Sequence, residues 1–227
     1  MHFPRPRRPR LAAAQLAVMA LVAAGSSLAA AAAPVSAATC ANIDVVVARG
    51  TFETGTLGTI VGDPVYAALQ SALAGKSTSS YPVNYPASLD VFSNPNSATR
   101  GNTDLVNHVT SQAAACPSQR FILVGYSQGA NVVDNSIGIS SDGALVGGPI
   151  SETIPSSIQP RIAAILLFGN PIRAQGKSVT GIYASRTDDF CASGDPVCQS
   201  GGLNVGAHLG YGSDASAAAA FAAALVG

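Results

Sequence analysis

The sequence predicts an α/β fold, a mainly parallel sheet with helices on both faces. Three observations predict it. Residues 43–48 (IDVVVA), 121–124 (FILV) and 162–168 (IAAILLF) are apolar runs without polar alternation, as strands buried on both faces require. Segments with helical spacing separate them. Each run also stops at a glycine: Gly50, Gly125 and Gly169. In such sheets ligands bind beyond the carboxyl ends of the strands, where these glycines fall.

The chain has 227 residues and opens on a segment that does not read as fold. Four arginines, at 5, 7, 8 and 10, precede a weakly apolar alanine-rich stretch, and small residues close it near Ala37 and Ala38. A basic head, an apolar middle and a small-residue cut describe a secretory signal, so residues 1–38 are expected to be removed on export. Residues 39–227 then form one domain, long enough to bury a full core. No other stretch approaches the ~18 apolar residues of a membrane helix.

Four of the 12 basic residues lie in the leader and none of the 12 acidic ones, so the mature chain carries −4. That balance, with no basic patch, excludes a nucleic-acid partner. Four cysteines, Cys40, Cys116, Cys191 and Cys198, allow three pairings, and export permits disulfides. Cys191 and Cys198 could close a small loop, which would leave Cys40 for Cys116. No C-x-x-C and few histidines mean that no metal site is expected.

After the strand at 43–48 comes a Gly/Thr-rich loop. Asp63-Pro64 then opens a helix, with Asp63 as cap, that ends near Gly75. Residues 81–85 (YPVNY) read as an edge strand because of Pro82. The next helix is expected from about Asn102, with Leu105, Val106 and Val109 on one face. A helix follows from Gln128. Val179 to Tyr183 reads as the last strand. An alanine-rich helix capped by Ser213 or Asp214 ends the chain.

Gly125-Tyr126-Ser127-Gln128-Gly129 fits G-x-S-x-G between a strand and a helix. Such a turn strains the serine backbone, lifts its hydroxyl above the sheet and points helix amides at the same spot. Ser127 is therefore the candidate nucleophile. A serine needs a base, and the mature chain holds two histidines, His108 and His208. His108 reads as a helical residue, partly packed. His208 lies in a Gly-rich segment before the last helix and is the candidate base. The orienting acid comes from Asp134, Asp142, Glu152, Asp188, Asp189 or Asp195. Asp134 is expected to point away. Asp195 leads, because a Cys191–Cys198 bridge would restrain it, and Asp189 is its rival.

Four segments together resemble the cutinase family: VVVARGTFE at 45–53, CPSQRFILVGYSQGA at 116–130, CASGDPVC at 191–198 and AHLGYGSDA at 207–215. They run through nearly the whole mature chain. The resemblance implies a single-domain α/β-hydrolase without a large lid. It implies the triad Ser127, Asp195 and His208, and disulfides Cys40–Cys116 and Cys191–Cys198. The Ser…Asp…His chain order agrees. An oxyanion hole would use the amide of Gln128, next after the nucleophile, and Thr51 after Arg49-Gly50. Family members often carry serine at that place, and threonine keeps the hydroxyl while adding a methyl.

The expected protein is a secreted, extracellular, monomeric serine esterase that needs no cofactor. Its substrate would be a cutin-like polyester or a short- to medium-chain acyl lipid, held near Phe52, Leu203, Val205 and Leu209. A neutral histidine base predicts activity rising through about pH 6 to 7. Alternatives are an acetylxylan-type polysaccharide deacetylase, which the 6% aromatic content and lack of tryptophan disfavour, a serine peptidase, and a non-catalytic binding protein on the same fold.

Overall fold

In the computed structural model, residue 2 and residues 40–227 are described. The leader read over residues 1–38 lies outside this range but for residue 2. Five parallel strands form one sheet in the order β2-β1-β3-β4-β5. They are β1 (Ile43–Ala48), β2 (Thr78–Pro82), β3 (Arg120–Tyr126), β4 (Ile162–Phe168) and β5 (Thr187–Phe190). The helices are α1 (Gly62–Ala72), α2 (Ser97–Ala115), α3 (Gln128–Ser136), α4 (Val205–His208) and α5 (Ala215–Val226).

The three central strands, β1, β3 and β4, bury both faces because each alternates between two cores. Ile43, Val45 and Val47 of β1 meet Ile122 and Val124 of β3 in one core. Val46 and Ala48 meet Phe121 and Leu123 in the other. The first core is closed by α1 through Val65 and Leu69, and by α5 through Ala218, Ala219 and Ala222. The second is closed by α2 through Leu105, Val106 and Val109, and by α3 through Ala130, Val132 and Val133. A bulge interrupts the β3–β4 ladder: Phe121 pairs with Ile162 but Ile122 with Ala164, so Ala163 is the extra residue. Ile162 and Ile165, three apart, consequently share a face. No described helix is long and apolar enough to cross a membrane.

Several boundaries differ from the sequence reading. The edge strand lies at Thr78–Pro82, not 81–85, with Pro82 as its last residue. Its residues are only partly buried, so no apolar run marks it. The expected last strand at Val179 to Tyr183 is mostly a 3-10 turn, Gly181–Arg186, and the true edge strand is the polar TDDF of β5. Val179 and Tyr183 are apolar because they pack on the core beneath, not because they pair. The helix expected from Asn102 starts at Ser97, where the Asn96 side chain accepts a hydrogen bond from the Thr99 amide. Asp63 lies inside the first turn of α1, which has no side-chain cap. A short 3-10 turn, Tyr211–Asp214, leads into α5, and neither Ser213 nor Asp214 caps it through a side chain.

Disulfides join Cys40 to Cys116 and Cys191 to Cys198. The first ties the chain before β1 to the end of α2. The second closes the loop after β5.

Candidate active site

Three strand ends supply the site. Beyond β1 comes the loop with Thr51, beyond β3 comes Ser127, and beyond β5 the disulfide loop with Asp195. The turn at Ser127 is tight enough to explain both flanking glycines. A Cβ on Gly125 would lie 2.6 Å from the Gly129 carbonyl oxygen, and one on Gly129 only 1.9 Å from that of Ala48. Ser127 itself has φ 55° and ψ −117°. Strain of this kind costs on the order of 1–3 kcal/mol and persists where the surroundings enforce it. Here the Ser127 amide donates to the Phe168 carbonyl (2.9 Å), fastening the turn to β4.

Ser127 Oγ lies 3.0 Å from His208 Nε2, and His208 Nδ1 lies 2.8 Å from Asp195 Oδ2. The Asp195 carboxylate is fully buried. Its Oδ2 also accepts from the Tyr211 hydroxyl (2.5 Å), and its Oδ1 from the Val197 amide (2.7 Å). Burial alone would raise the carboxyl pKa. The bonds from Tyr211, His208 and Val197, with the His208 charge, outweigh burial and hold it below the ordinary carboxylate value. His208 is the last residue of the four-residue helix α4. Asn204 caps that turn by accepting from the Ala207 amide, and the Tyr126 hydroxyl donates to the His208 carbonyl (2.8 Å).

The other candidate acids lie elsewhere. Asp189 accepts a hydrogen bond from Asn170 at Oδ2 (3.3 Å), and the fully buried Asp134 lies within reach of its charge. Burial, then the charge of Asp189, drives the Asp134 carboxyl well above its ordinary pKa, and neither of its oxygens finds a partner. Burial pushes Asp189 up to about 6 against the pull of Arg173. His108 serves the fold: Nε2 lies 2.7 Å from Asp44 Oδ2 and its ring stacks on Tyr81 at 3.5 Å. Among the described residues, no three His, Cys, Asp or Glu side chains gather as a metal site.

A cleft of about 260 Å³ opens over Ser127, lined by Thr51, Ile60, Leu89, Val146 and Leu209, with Leu145 at the rim. Of the expected apolar residues only Leu209 lines it. Phe52, Leu203 and Val205 are exposed and not part of its lining. Thr51 Oγ1 is buried without a hydrogen-bond partner. Its loop is held by Glu53, whose carboxylate accepts from the amides of Gly50 and Ile60, each at 2.7 Å. Gln128 opens α3 and is buried. Sequence reasoning missed Tyr211, Tyr126 and Glu53. Tyr211 falls inside the AHLGYGSDA segment, but nothing in that segment says which acid it meets. The two walls of the cleft, Leu89 and Leu145-Val146, come from polar loops with no motif.

A parallel sheet, a strained serine at a strand-to-helix turn, and a histidine bridging it to a buried carboxylate define a hydrolase of the acyl-transfer type. The Cutinase family profile matches residues 39–226. A cutinase of Botryotinia fuckeliana is 38% identical over 208 residues, covering 92% of this chain and 95% of the relative. Phospholipase Culp4 of Mycobacterium tuberculosis is 39% identical over 220 residues, covering 92% of each chain. The structure of a Trichoderma reesei cutinase in complex with a phosphonate inhibitor superposes with a TM-score of 0.67 at 32% identity, covering 83% of this chain and 78% of that one. The chain belongs to the cutinase family and is a carboxylic ester hydrolase.

Proposed function

We propose that the protein is a secreted serine esterase acting on short- to medium-chain acyl esters, in lipids or polyesters, through Ser127, His208 and Asp195. The observation that carries this reading is the continuous line Ser127 Oγ, His208 Nε2, His208 Nδ1, Asp195 Oδ2, with separations of 3.0 and 2.8 Å. In the reaction, His208 takes the hydroxyl proton as Ser127 attacks the ester carbonyl. Asp195 orients the ring and stabilises its charged form. The tetrahedral oxyanion is held by the amides of Thr51 and Gln128, and the unpartnered Thr51 hydroxyl is free to add a third donor. His208 passes its proton to the leaving alcohol, and water repeats the cycle on the acyl-enzyme.

The cleft supports an acyl substrate. Ile60, Leu89, Leu145, Val146 and Leu209 give it an apolar lining beside Ser127. Relatives named cutinase and phospholipase agree with acyl esters of either kind. Export rests on the leader read over residues 1–38 and fits the two disulfides. N-terminal sequencing of the protein from culture medium is expected to begin near Thr39.

The testing experiment is hydrolysis of p-nitrophenyl esters from acetate to palmitate by the mature protein and by Ser127→Ala. Turnover with a preferred chain length above acetate, absent in the variant, is the expected result. A sharp preference for acetate would point to a deacetylase. Equal turnover by the variant would remove Ser127 from the mechanism.

A further inference from the structure

Helix α3 is buried along all nine residues although five of them are polar. Beyond α2 and the sheet, it is covered by the loop at residues 139–152, which also forms one wall of the cleft. The wall is bonded to α3 side chain by side chain. Asn131 Nδ2 donates to the Leu145 carbonyl at 2.9 Å, and Asn135 Nδ2 to that of Gly148 at 3.0 Å. The opposite wall, residues 86–96, carries Leu89. Two side chains link the walls: Asn96 Nδ2, in the Leu89 wall, donates to the Gly147 carbonyl at 2.9 Å, and Gln128 reaches both from below. Gln128 Nε2 donates to the Ser88 carbonyl at 2.9 Å and, more loosely, to the Val146 carbonyl at 3.4 Å. Its Oε1 accepts from Ser97 Oγ at 3.2 Å, and the same hydroxyl accepts from the Ser88 amide at 3.1 Å.

The backbone around this bridge is strained. Phe52, Ala87, Ser127 and Val146 are the four non-glycine residues with positive φ among the described residues; Ser127 and Val146 line the cleft, Phe52 follows its lining residue Thr51, and Ala87 lies two residues before Leu89. Val146 is β-branched, for which φ 48° is an outlier. The Phe52 amide donates to the Ala87 carbonyl at 2.7 Å, so the Thr51 loop is joined to the Ser88 wall. Strained residues keep such conformations only where bonds over-determine them, and the Gln128 amide supplies a bond on each side.

We propose that the Gln128 side chain, as distinct from its backbone amide, is a specificity-determining clamp. Buried beneath the cleft, it bonds both walls and, together with Asn96, sets the separation of the Leu89 and Leu145-Val146 walls. A carboxylate at this place could not donate to either carbonyl. An asparagine is one methylene short of both. The proposal rests on the esterase reading and adds a role that every substitution at position 128 tests while the main-chain donor stays in place.

The experiment measures kcat and KM of the mature protein, Gln128→Leu and Ser97→Ala on p-nitrophenyl acetate, butyrate, octanoate and palmitate. Competent sites are counted with a serine-directed phosphonate. In Gln128→Leu the ratio of kcat/KM between the preferred ester and its worst neighbour is expected to fall about tenfold, as loss of one or two hydrogen bonds allows. The change is expected mainly in KM, whatever loss is common to all esters. Ser97→Ala, which removes only the hydroxyl behind the clamp, is expected to flatten the profile about threefold. It decides the matter if Gln128→Leu does not fold. An unchanged profile, or a uniform loss across all four esters, overturns the clamp. A native protein that hydrolyses none of them overturns the esterase reading and the clamp together.

Discussion

Replacing Tyr211 by phenylalanine tests how the buried aspartate is kept charged. The hydroxyl donates to Asp195 Oδ2 at 2.5 Å and accepts from the Ala192 amide at 2.9 Å. A hydrogen bond to a buried carboxylate contributes ~1.5–3 kcal/mol, and one lost acceptor for a buried amide costs a further ~1 kcal/mol or more. The variant should therefore lose about 3 kcal/mol of stability at neutral pH. The loss depends on pH, and its sign is fixed by Asp195. A carboxyl with a depressed folded pKa contributes stability above its unfolded value, ~3.9, and loses it as pH falls through the folded value. Removing the Tyr211 bond raises the folded pKa, so the deficit is full at pH 7 and shrinks as pH falls through the variant's raised folded value toward the native protein's depressed one. Urea midpoints of both proteins at pH 7 and pH 3 measure it. With one of its three donors gone, Asp195 also holds His208 less firmly, and kcat should fall about tenfold, equivalent to ~1.4 kcal/mol. A stability deficit as large at pH 3 as at pH 7 would refute the reasoning, because the hydroxyl would then not be acting on the ionised carboxylate.

Thr51→Val keeps size and removes the unpartnered hydroxyl. If that hydroxyl meets the oxyanion, kcat drops ~10²–10³-fold while Thr51→Ser stays near native, which the p-nitrophenyl assay reads directly. The two disulfides should separate by function. Their sequence separations of 76 and 7 residues correspond to loop-closure contributions of about 4.5 and 2.5 kcal/mol. Paired Cys→Ser substitutions at 40 and 116 should cost the more stability, and those at 191 and 198 the more activity, by urea unfolding and ester turnover. Asp189 behaves oppositely to Asp195. With a folded pKa of about 6, it contributes stability below ~3.9 that is lost as pH rises to 6. Asp189→Asn should flatten the decline in urea midpoint between pH 4 and pH 7, and a decline as steep as the native one would refute it.

The central strands were legible because burial on both faces leaves a dense apolar run in β1, β3 and β4, interrupted in β1 by the buried Asp44. The two edge strands were not. TSSYP and TDDF are half-buried and polar, while the apolar residues at Val179 to Tyr183 lie mostly in a 3-10 turn that packs without pairing. In the site, the glycines around Ser127 carried the turn, and the scarcity of histidines selected His208. Asp195 was read through its flanking cysteines. Tyr211, Glu53 and the Gln128 side chain were beyond sequence reasoning, since each acts on a partner on a different loop, and no spacing rule links position 211 to 195 or 128 to 88.

Tyr126 has a consequence for anyone recombining these enzymes. It stands one residue before the serine, its hydroxyl anchors the His208 carbonyl, and its ring fills the space where a side chain on Gly50 would sit, 2.7 Å away. A segment from 191 to 211 transplanted from a relative would bring its own aspartate and histidine but meet a tyrosine fitted to the old backbone. The transferable module is therefore discontinuous in the gene: a strand end, a glycine seventy-odd codons upstream, and a loop some eighty codons downstream must travel together, and single-crossover chimeras between them should be the ones that express well yet turn over poorly.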